Sequence, residues 1–579
     1  KITVTKIITM NIYKSNKTNL SRLFIALLGI LAIWSCEKDD DYTPEGETRM
    51  FTPVEINSQS FEDRVELTWN PSLFTDGINE TYTAQVSQDS LFSAESELVL
   101  EKVTDTSGVV FTDQELEVRT DYFVRVKANA IDDRPASKWS ISTGFSIRGV
   151  QKLYPILSPS ILATKVKLEW EYTEGVTEFR FQEYTQDETD LTSEPVLIGD
   201  PMLFPISAEE EQNAMKTVEG LEPNTKYFVD LYKGPVSIGY RSFKTKEEST
   251  YTAILSPGDD IVTIVNNSED GAIIGLEPGV YDTGDDRFQI DGKTITIESI
   301  SNDPNDTKIN FEEFTLNDTG AGITLRGLEI DGQNNALYLI NLTSSDGNGD
   351  PADYTDVMID NCIVHDIETS AFRANRGSDG AYFMNTFTIQ YSTFYNFAPG
   401  SYAFIHAEEL VFNELKLSNS TFYKTGDIFI RYRKDFDSPI PNPLFTIEYC
   451  TINSIGFSNN YTLLDLKDKQ ATLNFKNSIL ANIPREGGTA ETDLVRIDNE
   501  TSAASFSFSN FFNLTNGDLD DPQEVVIPQP EEGYIASQNM YNIDLGWDNN
   551  TTDFTLPADS ELQNASSTGG AIGDPKWWY

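Results

Sequence analysis

The second half of the chain carries a short pattern of alternating apolar and polar residues that returns at a nearly regular interval. Successive copies begin 28 to 34 residues apart, at Ile295, Ile323, Val357, Phe387, Leu415, Phe445, Leu473 and Phe506. Alternation with a period of two predicts a strand that buries one face. A repeat of this length is typical of one coil of a β-solenoid. The pattern therefore predicts eight or nine coils whose equivalent strands stack about 4.8 Å apart.

Two copies of a different pattern precede the solenoid. The alternating segments that end in Trp69 and Trp170 lie 101 residues apart, and the later segments around Tyr122 and Tyr227 lie 105 residues apart. This spacing predicts one β-sandwich per copy. Residues 51–148 and 152–246 resemble fibronectin type III domains, in which the Trp packs across the core and the Tyr fixes a corner. The resemblance implies a spacer role, with direct ligand binding as the alternative.

The N-terminal region predicts export from the cytoplasm. Basic residues after Met10 and an apolar run of twelve residues indicate a signal peptide over residues 1–35, because a bilayer span needs about 20 apolar residues. Cys36 follows directly and resembles the lipidated cysteine of the bacterial lipobox. Residues 36–50 form a lipidated acidic linker in this interpretation, and its acidic run over residues 37–41 resembles the surface-export signal of Bacteroidota lipoproteins, although the run could simply be solvated linker. These resemblances imply a protein anchored by lipid to the outer membrane at the cell surface.

The charge of the chain excludes one class of partner. Its 92 acidic and 42 basic residues give a net charge of −50, which argues against binding to nucleic acid. An apolar share of 39% is enough for real cores. Cys362 and Cys450 occupy the same position of the repeat three coils apart, about 14 Å by the strand spacing. A disulfide tolerates at most about 7 Å between Cα atoms, so we expect two small buried residues.

Both ends of the predicted solenoid resemble known proteins. Residues 271–297 resemble the first coil of pectate-lyase-like right-handed parallel β-helices, and residues 573–578 resemble the tail of Bacteroidota lipoproteins associated with polysaccharide utilisation. The resemblance implies an all-β chain of two fibronectin type III-like sandwiches and a right-handed parallel β-helix over residues 252–579, with a C-terminal cap. A long capping excursion is expected over residues 518–555. The implied partners are a polysaccharide and a glycan-import complex.

Basic residues recur in register on the predicted wall of the helix. Arg373 lies 16 residues after Val357, and Arg431 lies 16 residues after Leu415, so both should face the same side two rungs apart, at about 9.6 Å. Alternation along the neighbouring strands extends this into a column. The predicted ligand-binding residues are Arg373, Phe404, His406, Arg431, Arg433, Lys467 and Arg496.

Several interpretations of this column remain open. The cations could simply pair with Asp427, Asp465 or Asp498 along the ladder. They could instead bind a polysaccharide, rich in uronic acid or neutral. A polysaccharide lyase would use a cation and a base on the same wall, with the candidates Arg373, His406, Arg431, Arg433 and Lys434. A glycoside hydrolase would need converging carboxylates, and a structural or adhesive role is the last alternative. We predict no metal site and no cofactor, except that a lyase would call for Ca²⁺.

Overall fold

The structure is a computed structural model, in which the chain forms two compact units that divide between Gln151 and Lys152. The described residues are 49–73, 79–93, 98–186, 195–343, 351–374, 382–397, 402–434, 442–458, 461–489, 493–515 and 535–579. The predicted signal peptide and the predicted lipidation site Cys36 lie outside them. Within these ranges no helix has both the length and the apolar character needed to cross a membrane.

The first unit is a sandwich of two antiparallel sheets. One sheet contains Val54–Ser60, Arg64–Asn70 and Gly108–Thr112; the other contains Leu98–Thr104, Tyr82–Ser87, Phe123–Ala128 and Ser140–Ile141. Trp69 is buried and meets the ring of Tyr82 edge-on at 5.4 Å. The hydroxyl of Tyr122 accepts the backbone N–H of Glu117 at 3.2 Å, which fixes the corner before its strand.

A second sandwich opens the other unit. Its sheets contain Lys165–Glu169 with Met215–Glu219, and Val196–Pro205, Glu178–Thr185, Lys226–Lys233 and Val236–Lys244, with a short helix Ala208–Asn213 and a 3₁₀ turn Ser158–Ser160. Trp170 is buried, and the hydroxyl of Tyr227 accepts the N–H of Glu222 at 3.0 Å. Both sandwiches thus have the core Trp and the tyrosine corner that their sequences predict.

The remainder of this unit is a parallel β-solenoid with three sheets, all of whose strand pairs are parallel. The first sheet contains Ala253–Leu255, Ala272–Leu276, Thr294–Ser299, Gly322–Arg326, Ala352–Asp360, Tyr382–Gln390, Leu410–Ser418, Leu444–Glu448, Thr472–Lys476, Ala503–Ser507 and Ile535–Gln538. The second contains Gly279–Asp282, Thr307–Asn310, Glu329–Asp331, Ile363–Ile367, Thr393–Phe397, Thr421–Tyr423, Thr451–Asn453, Ile479–Ile483 and Asn510–Leu514. The third contains Phe288–Asp291, Phe314–Asn317, Tyr338–Thr343, Ser370–Ala374, Ile405–Ala407, Ile430–Tyr432, Tyr461–Lys467 and Asp493–Ile497. Their inward residues form one continuous apolar core. The predicted all-β architecture is confirmed, whereas the handedness of the winding stays a prediction.

The predicted repeat matches the register of the first sheet until its last copy. Ile295, Ile323 and Val357 pair in succession, and the series continues to Leu473. The prediction that Phe506 opens the next copy is wrong, because Leu473 pairs with Ala504 and Phe506 lies two residues further on. A shift of two residues keeps the same side chains facing inward, so alternation alone cannot exclude it.

A ladder of hydroxyl groups lines the corner between the first and second sheets. The Ser392 hydroxyl accepts the N–H of Cys362 from the previous coil at 3.0 Å, and it donates to the carbonyl of Gln390 at 2.8 Å. Ser420, Ser478 and Ser509 repeat this arrangement. Cys362 and Cys450 take the same position as buried free thiols. The residue before each member has a positive φ, for example 54° at Asn361. Asparagine tolerates this conformation and occurs at Asn361, Asn419 and Asn477, whereas Tyr391, Tyr449 and Phe508 adopt it as aromatic residues.

The two ends of the chain's solenoid region are covered differently. The helix Ile261–Asn267 packs three buried apolar side chains onto the core, and the side chain of its N-cap Asp260 accepts the N–H of Thr263 at 2.9 Å. At the other end, residues 541–579 pack against the outer face of the second sheet. This C-terminal segment runs back along the solenoid, from Asn510 through Asn482 and Asn453 to Thr421.

Candidate functional site

The outer face of the third sheet brings the predicted basic residues together. Arg373 pairs in register with His406, and His406 pairs with Arg431, so the three side chains occupy consecutive rungs. Arg431 then pairs with Asp465, and Asp465 with Arg496. In the other direction the column continues to Asn341. We call the residues from Asn341 to Arg496 on these rungs the third-sheet column.

The column divides into two parts, and in the later one the charged side chains form ion pairs with one another. Asp465 is fully buried and accepts a hydrogen bond from Nη2 of Arg433. Arg496 contacts the other oxygen of Asp465, with Nη2 at 2.7 Å and Nε at 2.8 Å. Its guanidinium also lies over the ring of Tyr461 at 4.6 Å. Ion pairing along the ladder was one of the alternatives that the sequence left open, and Arg433 and Arg496 form such pairs with Asp465.

Arg373, in the earlier part, is held differently. Its guanidinium lies over the ring of Tyr338, 4.8 Å from the centroid, and Nη1 is 3.5 Å from the amide oxygen of Asn341. Its Nε is buried and has no hydrogen-bond partner among the described residues. No carboxylate in the described part of the chain lies within ion-pair distance of Arg373. A guanidinium positioned in this way can still accept an anionic partner.

His406 connects the two arginines of the earlier part but is closed off from solvent. The side chain is almost fully buried, Nδ1 accepts the N–H of Ala403 at 3.4 Å, and Nε2 lies 3.5 Å from Glu408. Burial lowers the pKa of His406, and the charges of Arg431 and Arg373 add to this effect against the opposing influence of Glu408. His406 therefore spaces the two guanidinium groups as a neutral ring.

Burial and neighbouring charges also shift the pKa values of Arg431 and Glu408. Burial lowers the pKa of Arg431, and the neighbouring charge of Arg433 lowers it further. The pKa of the Glu408 carboxyl is also lowered, first by its hydrogen bond with His406 and then by the charges of Arg431 and Arg433, which favours the ionised carboxylate. The column itself carries Arg373, Arg431 and Arg496 against Asp465, so its formal charge is 3 − 1 = +2. This is a local cationic strip on a chain of charge −50.

Three of the predicted site residues are placed elsewhere. Phe404 is fully buried in the core, stacked on Phe429 at 5.2 Å, because it precedes its strand at a corner where alternation no longer applies. Its carbonyl accepts the N–H groups of both Ala371 and Phe372. Lys467 is exposed but outside the column, since the register shifts between Asp465 and Lys467. Lys434, the remaining candidate for a lyase, is buried just beyond the strand Ile430–Tyr432.

Sequence reasoning missed two groups of residues near functional side chains. The first is a set of tyrosines beside the column, Tyr338, Tyr402 and Tyr461, whose rings contact Arg373, His406 and Arg496. The second is a cluster on the second sheet, where Asp331 and His365 occupy adjacent rungs. Their spacing of 34 residues equals that between Ile323 and Val357, so the repeat itself could have revealed the second group.

Comparisons with known proteins give the following likenesses. A family described as a domain of unknown function (DUF4957) matches residues 279–425, which lie within the solenoid. No curated protein matches the chain. Among solved structures, the FN1–FN3 domains of chicken CNTN1 share 15% identity, covering 35% of this chain and 70% of that chain with a TM-score of 0.16. A two-domain fibronectin type III segment from chicken tenascin shares 15% identity, covering 34% of this chain and 99% of that chain with a TM-score of 0.17.

Proposed function

We propose that this protein binds an acidic polysaccharide through the outer face of the third sheet of its solenoid. Fibronectin type III-like sandwiches joined to a β-solenoid are consistent, in general, with a surface or carbohydrate-associated protein. The specific proposal is carried by Arg373, a guanidinium with a stacked tyrosine and no carboxylate partner among the described residues. Arg431 lies two rungs away on the same column.

The geometry suits a repeating anionic ligand better than a small one. A planar guanidinium matches a carboxylate through two parallel hydrogen bonds. An exposed ion pair contributes only about 0.2–1 kcal/mol, whereas micromolar affinity requires about 8 kcal/mol. A polymer can engage several rungs at once, and the contributions of linked contacts then combine. Uronic-acid glycans such as alginate or pectin present one carboxylate per sugar and are therefore the favoured class of ligand.

Affinity electrophoresis in gels that contain alginate, pectin or a neutral glycan tests this proposal. Wild-type protein should be retarded in the acidic gels, and the double variant Arg373→Ala, Arg431→Ala should migrate as it does in a gel without glycan. The matched control is Lys416→Ala, Lys476→Ala, which removes two positive charges from the outward positions of the first sheet. The control should be retarded like the wild type.

Three outcomes would overturn the proposal. Wild type that is not retarded by any acidic glycan would contradict it directly. Equal retardation of the arginine double variant and wild type would remove the column from the binding surface. Equal losses of retardation in both double variants would show that retardation depends only on the overall charge of the protein.

Polysaccharide lyase activity is less well supported by the same face. β-Elimination needs a base that reaches the proton beside the uronate carboxylate. His406 is nearly fully buried and its two nitrogens face Ala403 and Glu408. A hydrolase would need free carboxylates, yet Asp465 is enclosed between Arg433 and Arg496. Incubation with alginate or pectin, followed by the ultraviolet absorbance of unsaturated sugar ends, should show no increase for a binding protein.

We also propose that the protein acts at the cell surface, anchored by a lipid on Cys36. Support comes from the apolar run and the acidic segment that flank Cys36 in the sequence. A single acyl chain binds membranes only marginally, so stable anchoring would need more than one chain. Metabolic labelling with a fatty acid in a lipoprotein-exporting bacterium should label the wild type and leave Cys36→Ala unlabelled.

A further inference from the structure

A second polar cluster lies on the outer face of the second sheet, on a different wall from the third-sheet column. Glu329, Asp331 and His365 each offer one ligand atom, and these atoms lie within 4.8 Å of one another. Asp331 and His365 are in register on adjacent rungs, and Glu329 lies two residues before Asp331 on the same strand. The proposed glycan site uses none of these residues.

The imidazole of His365 has a carboxylate at each nitrogen. Nδ1 lies 2.8 Å from Asp366 and 3.7 Å from Asp331, and Nε2 lies 3.1 Å from Glu329. A neutral imidazole has one N–H, so it can donate to only one of these two carboxylates. If Nδ1 donates to Asp366 at the shorter distance, the lone pair of Nε2 faces an oxygen of Glu329. In that tautomer Nε2 and the Glu329 oxygen can coordinate one cation, and a carboxylate on the far nitrogen is the usual orienting partner of a metal-bound histidine.

The position of the His365 ring is fixed independently of any ion. The ring stacks on Tyr395 with 4.9 Å between centroids, and Tyr395 stacks on Tyr423 at 5.0 Å. The side chain of His365 is only 8% exposed. Asn396 donates a hydrogen bond to Asp366, which holds the orienting carboxylate. This rigidity preorganises Nε2 as a ligand.

The local charges and a buried oxygen also favour a cation. Glu329, Asp331 and Asp366 carry three negative charges, and Lys308 is the one cation that contacts them among the described residues, which leaves 1 − 3 = −2. One rung before Asp331 in the same column, the amide oxygen of Asn310 is buried and has no hydrogen-bond donor within the described ranges. This oxygen, on the residue in register with Asp331, is a further potential ligand.

We infer that Glu329, Asp331 and His365 form a binding site for a divalent transition-metal ion such as Zn²⁺. The imidazole nitrogen distinguishes this class from Ca²⁺ and Mg²⁺, which prefer oxygen ligands alone. Asp366 orients His365 through Nδ1. Glu329 and Asp331 are partly exposed, so an ion could enter from solvent.

Lys308 is the natural competitor for this ion. Its ammonium lies 3.1 Å from Glu329 and 2.6 Å from Asp331, so it occupies the space between the two carboxylates. The side chain is 28% exposed, and its flexible stem can move toward solvent. Removing the Lys308 ammonium therefore distinguishes a metal site from a purely structural ion pair. Without the ammonium, the metal site should bind its ion more tightly.

Isothermal titration of the full chain with ZnCl₂, without an affinity tag and with excess Mg²⁺ to occupy oxygen-only sites, tests the inference. The chain contains two histidines, so His406→Ala is a matched control for His365→Ala. We expect one Zn²⁺ per chain for wild type and His406→Ala, and no such binding for His365→Ala. Asp366→Asn should weaken binding about 10- to 100-fold, and Lys308→Met should strengthen it.

Circular dichroism and thermal unfolding establish that each variant is folded, and Glu329→Gln provides a second ligand variant if His365→Ala does not fold. The inference is overturned if wild type and Lys308→Met both fail to bind Zn²⁺, which would leave the cluster as an ion pair. It is also overturned if a folded ligand variant, His365→Ala or Glu329→Gln, binds Zn²⁺ as tightly as wild type.

Discussion

The backbone N–H of Cys362 donates to the hydroxyl of Ser392 on the next coil across 3.0 Å. Both groups are buried, so Ser392→Ala would leave the N–H without an acceptor. We expect this change to lower the free energy of unfolding by about 1–3 kcal/mol, measured by urea denaturation. Ser505→Ala, at an outward position of the first sheet, should change it by less than about 0.5 kcal/mol. Equal changes in the free energy of unfolding for Ser392→Ala and Ser505→Ala would show that the hydroxyl ladder adds nothing to stability.

The ion cluster at Asp465 should be a stabilising element. Asp465→Ala would leave Arg433 and Arg496 without their shared carboxylate, and removing one partner of a buried pair costs about 3–5 kcal/mol. Denaturation midpoints measure this loss. The exposed pair of Lys167 and Glu169 provides the comparison, because Glu169→Ala should cost less than about 1 kcal/mol. A similar small cost at Asp465 would contradict the assignment.

Phe404 should affect stability and leave glycan binding unchanged. Phe404→Ala opens a cavity in the core next to Phe429, and substitutions of this kind cost about 3–5 kcal/mol. Phe404→Leu preserves more of the volume and should keep wild-type retardation in alginate gels. If folded Phe404→Leu lost retardation while remaining as stable as wild type, the ring would have to be a ligand contact after all.

The buried carboxyl of Asp574 predicts a pH dependence of stability. Burial raises the pKa of Asp574 to about 7, against a value of 3.8 for the free side chain, even though Thr421 donates a hydrogen bond to it. Between about pH 4 and about pH 7 the folded state keeps the Asp574 proton that the unfolded state has released. The free energy of unfolding therefore falls as the pH rises through this range. Asp574→Asn cannot ionise at this position.

Thermal unfolding of wild type and Asp574→Asn at several pH values checks this sign. The two proteins should be similar near pH 4, and the variant should become the more stable one as the pH approaches 8. A difference that does not change with pH, or a wild type that gains relative stability above pH 7, would contradict the raised pKa. Asp553, whose pKa is lowered by its hydrogen bonds to Thr555, should give no trend in this direction when it is changed to Asn.

The repeat spacing was sufficient to predict which residues share a column. Arg373 lies 16 residues after Val357 and Arg431 lies 16 residues after Leu415, and the structure places the two arginines on either side of His406. Parallel stacking converts equal sequence spacing into spatial proximity, which is why this part of the site was accessible without coordinates. The sandwich cores were accessible for a similar reason, since Trp69 and Trp170 recur with their tyrosine corners.

The failures occurred at a strand end and at changes of register between neighbouring strands. Phe404 lies at a corner, Lys467 follows a register shift, and Phe506 is displaced by an even number of residues. None of these changes alters the local pattern of apolar and polar residues, so the pattern contains no signal for them. The pairing of Asp465 with two arginines was an open alternative because sequence gives position along a column but not the direction of long side chains.

The C-terminal segment changes how the solenoid should come apart. Arrays of coils fray from their ends, because a terminal coil has only one neighbour. Here residues 541–579 bridge from Asn510 back to Thr421, so the later coils are bound to one another by a strap as well as by stacking. Detaching the last coil requires the strap to be released from several rungs together. Unravelling should therefore begin at the opposite end, beneath the helix Ile261–Asn267, and proceed toward the strapped coils.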